Sequence, residues 1–106
     1  MNRDANLLEM QSRLLRLDHE ILLLKFKAEE ARPNVMAECC CYVKELREQY
    51  EALAYQLQVL KEVEGDAWVE LQTAVDGALR DLYCRAELVG TWVRLRLVDC
   101  FSVGVP

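Results

Sequence analysis

Residues 4 to 31 repeat apolar side chains at alternating steps of three and four: Leu7, Met10, Leu14, Leu17, Ile21, Leu24, Ala28 and Ala31. That spacing is the seam of a coiled-coil helix, whose period is close to 3.5 residues. Leu8, Leu15 and Leu22, seven apart, widen the stripe on one side. A stripe of that width implies more than one neighbour, either two partner helices of the same chain or other subunits. The seam resumes as Met36, Cys39, Val43, Leu46, Tyr50, Leu53, Leu57 and Leu60. Lys44, Glu45, Arg47, Glu48, Glu51, Lys61 and Glu62 occupy the opposite, solvated face. A third pattern follows: Trp68, Leu71, Val75, Ala78 or Leu79, Leu82, Ala86, Val89, Val93, Leu97 and Cys100. Ala67, Ala74, Gly77 and Ala78 are small enough to permit close helix approach. From Leu88 to Phe101 apolar residues surround the helix, so this segment asks to be covered, most simply by another subunit.

Two interruptions punctuate the patterns. Gly65-Asp66 joins a residue suited to the left-handed conformation that ends helices to one of the best N-caps, which predicts an antiparallel reversal at 64–66. Pro33 lacks an amide hydrogen and pushes Arg32 toward extended backbone, so it either starts a new helix or kinks a long one. The phase does not choose between these. Ala31, Val35, Cys39 and Val43 are each four apart, a stutter that one continuous helix can absorb by local unwinding.

The expected fold is all-α: one helical domain over 1–106, with helices near 4–31, 34–63 and 66–99. The first arrangement is an antiparallel coiled coil, a long helical hairpin kinked at Pro33. Its kinked arm of some 60 residues would span roughly 90 Å. The alternative is an up-down-up three-helix bundle, favoured by the similar helix lengths.

Composition narrows the function classes. Of the 106 residues 53% are apolar and 29% charged, which excludes a disordered chain. The net charge of −5 opposes nucleic acid and anionic lipid. Arg80, Arg85, Arg94 and Arg96 alternate with Asp76, Asp81, Glu87 and Asp99, as on an ordinary mixed helix surface. Neither a signal peptide nor a membrane-spanning stretch is visible, and the odd count of five cysteines fits a reducing compartment. A cytoplasmic location is the expectation.

Candidate chemistry is sparse. Cys39, Cys40 and Cys41 are the metal candidates. Adjacent helical residues point about 100° apart, however, so one helix cannot aim all three at one ion, and Cys84 and Cys100 fall well away along an antiparallel pair. His19, beside the seam, has no Ser/Cys and acid partner in a placeable triad. Glu29, Glu30, Glu38, Glu45, Glu48 and Glu51 lack the Glu-x-x-His pairs of di-iron bundles. Trp68 belongs over the turn end of the core and Trp92 with the apolar tail. No catalytic residue, cofactor or small-molecule substrate is expected.

Gly65-Asp66-Ala67-Trp68, followed by Glu70-Leu71, Val75-Asp76 and Leu82, resembles the GDAW turn of a widespread bacterial family of small coiled-coil proteins. Leu17-Asp18-His19-Glu20-Ile21 and the run Lys25 to Ala31 resemble its upstream helix. The resemblance covers about residues 14 to 90. It implies antiparallel helices, no catalytic residues to carry over, and in some bacteria a stress-response role. Pro33, the Cys39–Cys41 run and the apolar segment from Trp92 depart from that pattern.

The functional expectation is a non-enzymatic structural or protein-interaction coiled coil, self-associating as a homo-oligomer through Leu88, Trp92, Leu95 and Phe101. The rival readings are reversible binding of the amphipathic helices to a lipid surface and metal or redox chemistry at the cysteines.

Overall fold

The computed structural model describes the backbone of residues 3–103 and the side chains of residues 3–98. It contains three helices: α1 (Arg3–Ala28), α2 (Pro33–Glu62) and α3 (Asp66–Val103). The all-α expectation is borne out, and of the two arrangements open to the sequence the chain takes the three-helix bundle. The long hairpin kinked at Pro33 is not formed, because the chain reverses at 29–32. The Ala31 and Glu30 amides donate to the carbonyls three residues earlier, Ala28 at 3.2 Å and Lys27 at 3.1 Å, which tightens and ends α1. Arg32 is extended, with φ −61° and ψ 155°, as a residue before proline prefers. Pro33 then opens α2 at the position where its missing amide hydrogen costs nothing. The first helix therefore stops three residues short of the expected boundary.

The second reversal lies at the expected place. Val63 is extended and Gly65 has φ +71°, a left-handed conformation strained for any residue with a Cβ. The Gly65 carbonyl accepts the Trp68 amide at 3.1 Å and so opens α3. Asp66 is the first helical residue of α3 and not its cap. Its carboxylate nevertheless sits in the first turn, where the helix dipole favours negative charge.

The bundle measures 64 × 19 × 16 Å. Its radius of gyration of 17.1 Å exceeds the roughly 13 Å of a rounded domain of this length, so the molecule is a rod. The inner seams meet along its axis. Met10, Leu14, Leu17, Ile21 and Leu24 of α1 pack with Val43, Leu46, Leu53, Leu57 and Leu60 of α2, and with Val75, Leu79, Leu82 and Ala86 of α3. A second cluster closes the 29–32 end: Ala28, Val35, Cys39, Val93 and Leu97. Ala28, Cys39 and Val93 are completely buried there. Small side chains suit a layer in which the helices converge on a short connection. At Gly90 an added Cβ would lie 3.4 Å from Leu24 Cδ2, so the backbone of α3 comes close to α1.

Ion pairs tie all three helix pairs together. Asp18 meets Arg47 at 2.7 Å between α1 and α2, and Arg13 meets Asp76 at 2.6 Å between α1 and α3. Glu38 meets Arg96 at 3.1 Å between α2 and α3. Partly exposed pairs contribute at most about 1 kcal/mol each, so they adjust register, while the buried seams supply most of the stability.

Candidate interaction surface

The cysteine run is taken apart by the helix that carries it. Cys39 is fully buried in the second core cluster, Cys40 is half-buried and Cys41 is exposed. Cys84 is exposed on α3. Cys100 lies outside the described side chains. Among the described residues, no three His, Cys, Asp or Glu side chains converge as metal ligands. His19 is exposed on the outer face of α1, Glu29 and Glu30 are exposed just past its end, and Glu45, Glu48 and Glu51 are exposed on α2. Glu38 is the carboxylate of that set engaged by Arg96.

The two tryptophans sit at opposite ends of the rod. Trp68 is half-buried beneath Arg3, whose guanidinium lies 5.5 Å from the ring centre. The same guanidinium donates to the carbonyls of Val63 at 2.6 Å, Lys61 at 3.0 Å and Leu60 at 3.5 Å. The first turn of α1 thus caps the C-terminus of α2, where carbonyls lack helical partners and a cation is favoured. Sequence reasoning missed Arg3. Its partners are 57 to 60 residues away, and no local spacing announces them.

Trp92 meets Tyr42 of α2 edge to face, with ring centres 4.9 Å apart at 66°. Arg96 lies 5.7 Å from the Trp92 ring and extends to Glu38. Beside this pair, Leu88 is 71% exposed and Leu95 60%. Tyr42, Leu88, Val89 and Trp92 line a shallow cavity of about 220 Å³. Of the expected interface residues, Leu88, Trp92 and Leu95 therefore share one face of α3 and join Tyr42 there. Phe101 lies outside the described side chains. The chain matches no protein-family model, no curated protein and no solved structure. The surface must be read from its own chemistry.

Three titrating groups among the described residues depart from their ordinary values. The Asp76 carboxyl is held below the usual range, first by its hydrogen bond to Arg13 and then by that to Arg80. The Tyr50 phenol is pushed up by burial and by nearby Asp18, with Arg47 opposing. The Tyr83 phenol is pushed up by its hydrogen bond to Glu87. Each shift belongs to a helix-surface or helix-packing contact and none lines the Tyr42–Trp92 cavity. Among the described residues, no helix is long and apolar enough to cross a membrane.

Proposed function

We propose that this protein is a non-enzymatic structural or protein-interaction module of the cytoplasm that associates with copies of itself. The observation that carries the reading is the face formed by Leu88, Trp92 and Leu95 of α3 with Tyr42 of α2. Two leucines seven residues apart stand mostly in solvent beside an aromatic pair. These residues leave roughly 400 Å² of apolar surface on each protomer, within the range of the largest patch on an ordinary monomer, which is often functional. Tryptophan and tyrosine are among the usual anchors of an interface. Phe101 is carried in the proposal as a further interface residue from the sequence alone. The resemblance of Gly65-Asp66-Ala67-Trp68 to the turn of bacterial coiled-coil proteins supports adding a stress-related role to the same proposal.

Leu88→Glu with Leu95→Glu tests it. Both side chains point outward, so the helical spectrum should be unchanged while the mass measured by light scattering falls. A mass equal to that of wild type would remove α3 from the interface.

A further inference from the structure

Packing of the inner seam leaves α1 with a second one. Leu8, Ser12, Leu15, His19, Leu22 and Phe26 follow one another at steps of four and three, and all six are exposed. The apolar members are 64%, 68%, 39% and 53% exposed for Leu8, Leu15, Leu22 and Phe26, and Leu23 beside them is 42% exposed. A helix whose two opposite faces both keep a heptad is built for a partner on each. Here α2 and α3 occupy only the inner face. A 3.5-residue period along an exposed seam suits another helix.

We infer that the outer seam of α1 docks α1 of a second copy, antiparallel across a two-fold axis near residue 17. Charge decides the direction. With Arg13 held by Asp76 at 2.6 Å, the order of the remaining charges along the flank of α1 that looks toward Tyr83 of α3 is Glu9, Arg16, Glu20, Lys27. This order changes sign about its own midpoint. Reversal therefore brings Glu9 to Lys27 of the second copy and Arg16 to its Glu20. The two Arg16 side chains approach each other across the axis, and each is answered by a Glu20. In the same register Leu8 meets Phe26, Leu15 meets His19 and Ser12 meets Leu22. On the other flank Asp18 lies near the axis and is already neutralised by Arg47 at 2.7 Å. A parallel copy would instead set Glu9 against Asp4 and stack His19 on His19. The apolar area is on the order of 500 Å² per copy. Pairing buries about 1,000 Å² in total, the threshold for a specific association. Ser12 and His19 in the seam cost affinity and fix the register, as lone polar seam residues do in coiled coils.

The inference shares the self-associating reading but rests on a different helix, so the two fail separately. Equal amounts of unlabelled and ¹⁵N-labelled protein are mixed, treated with a carbodiimide that joins carboxylates to amines without a spacer, and digested for mass spectrometry. Within one chain, Glu9 and Lys27 lie about 27 Å apart along α1, beyond the reach of such a bond. A Glu9–Lys27 product linking the two isotopes is the expected result. It should persist in the Leu88→Glu/Leu95→Glu variant. In Leu15→Glu/Leu22→Glu it should vanish, with the self-association Kd of this face raised roughly tenfold or more. Self-association without the Glu9–Lys27 product would overturn the inference, as would its survival in Leu15→Glu/Leu22→Glu. A monomer that instead co-sediments with phosphatidylcholine vesicles through these leucines would overturn it too.

Discussion

Replacing Arg3 by Ala removes a clamp that exists only because the chain reverses at 29–32. Arg3 bonds the carbonyls of Leu60, Lys61 and Val63 and covers Trp68, which brings the start of α1 to the end of α2 and the start of α3. In a hairpin with one long kinked helix these groups would be a helix length apart. The magnitude follows from the parts. A cation at a helix C-terminus stabilises by about 0.3–1 kcal/mol. A partly exposed cation–π contact adds about 0.5–1 kcal/mol. The shortest hydrogen bond, at 2.6 Å to Val63, adds about 1 kcal/mol net of the water it replaces. The total, about 2 kcal/mol, lowers the melting temperature by roughly 8–15 °C in a domain of this size. Arg3→Lys keeps the charge but not the planar fork, so its loss should be about half. Thermal unfolding followed by circular dichroism, at equal protein concentration for all variants, reads both. A double-mutant cycle with Trp68→Leu should return a coupling near the cation–π share, about 0.5–1 kcal/mol. If Arg3→Ala unfolds within about 0.3 kcal/mol of wild type and shows no coupling to Trp68, the clamp has no energetic role.

Other consequences can be checked independently. A thiol reagent should modify Cys41 and Cys84 in the native protein within the mixing time, but reach Cys39 only on unfolding; peptide mapping of the labelled sites shows this. Cys39→Ser should destabilise by about 1–3 kcal/mol, because it replaces a fully buried thiol by a smaller and more strongly hydrated hydroxyl, whereas Cys41→Ser should be neutral. The Asp76 carboxyl is lowered in the folded state, so its stabilising contribution is present above its ordinary value of 3.8 and is lost as pH falls through the lowered folded value. Asp76→Asn should therefore cost up to about 1 kcal/mol at neutral pH, with the difference from wild type shrinking on acidification; a difference constant with pH would contradict the assignment. Gly77→Ala should stabilise by about 0.5–1 kcal/mol in urea unfolding, since nothing lies within 4 Å of the added Cβ in the interior of α3.

The seams were legible because burial along a helix repeats every 3.5 residues. Met10, Leu14, Leu17, Ile21, Leu24 and Ala28 are buried, while Leu7 and Ala31 at the two ends are half-buried. The Gly65 turn was legible from one residue with a Cβ-free backbone. The reversal at Pro33 was not, because a stutter keeps the stripe in phase whether the chain bends or turns back. Periodicity reports which side of a helix is buried and not which helix covers it. For the same reason Arg3, and the pairing of Arg13 with Asp76, left no local trace. Leu8, Leu15 and Leu22 show the converse limit. Their spacing marked a second apolar side of α1, but α2 and α3 already fill the inner seam, so that side stands in solvent. On α3, Leu88, Trp92 and Leu95 were identified by the loss of amphipathicity, but their aromatic partner Tyr42 comes from a helix that only tertiary structure brings near.

Two self-complementary faces on one chain join pairs into larger assemblies, whereas one face stops at a dimer. Light scattering on four proteins tests self-association most directly: wild type, Leu88→Glu/Leu95→Glu, Leu15→Glu/Leu22→Glu, and the variant with all four substitutions. Wild type should have a mass above that of a dimer, each pair of substitutions should leave a dimer, and all four together should leave a folded monomer. A wild-type protein that is monomeric at every concentration up to about 1 mM, where even a weak association of about −4 kcal/mol would register, would contradict it.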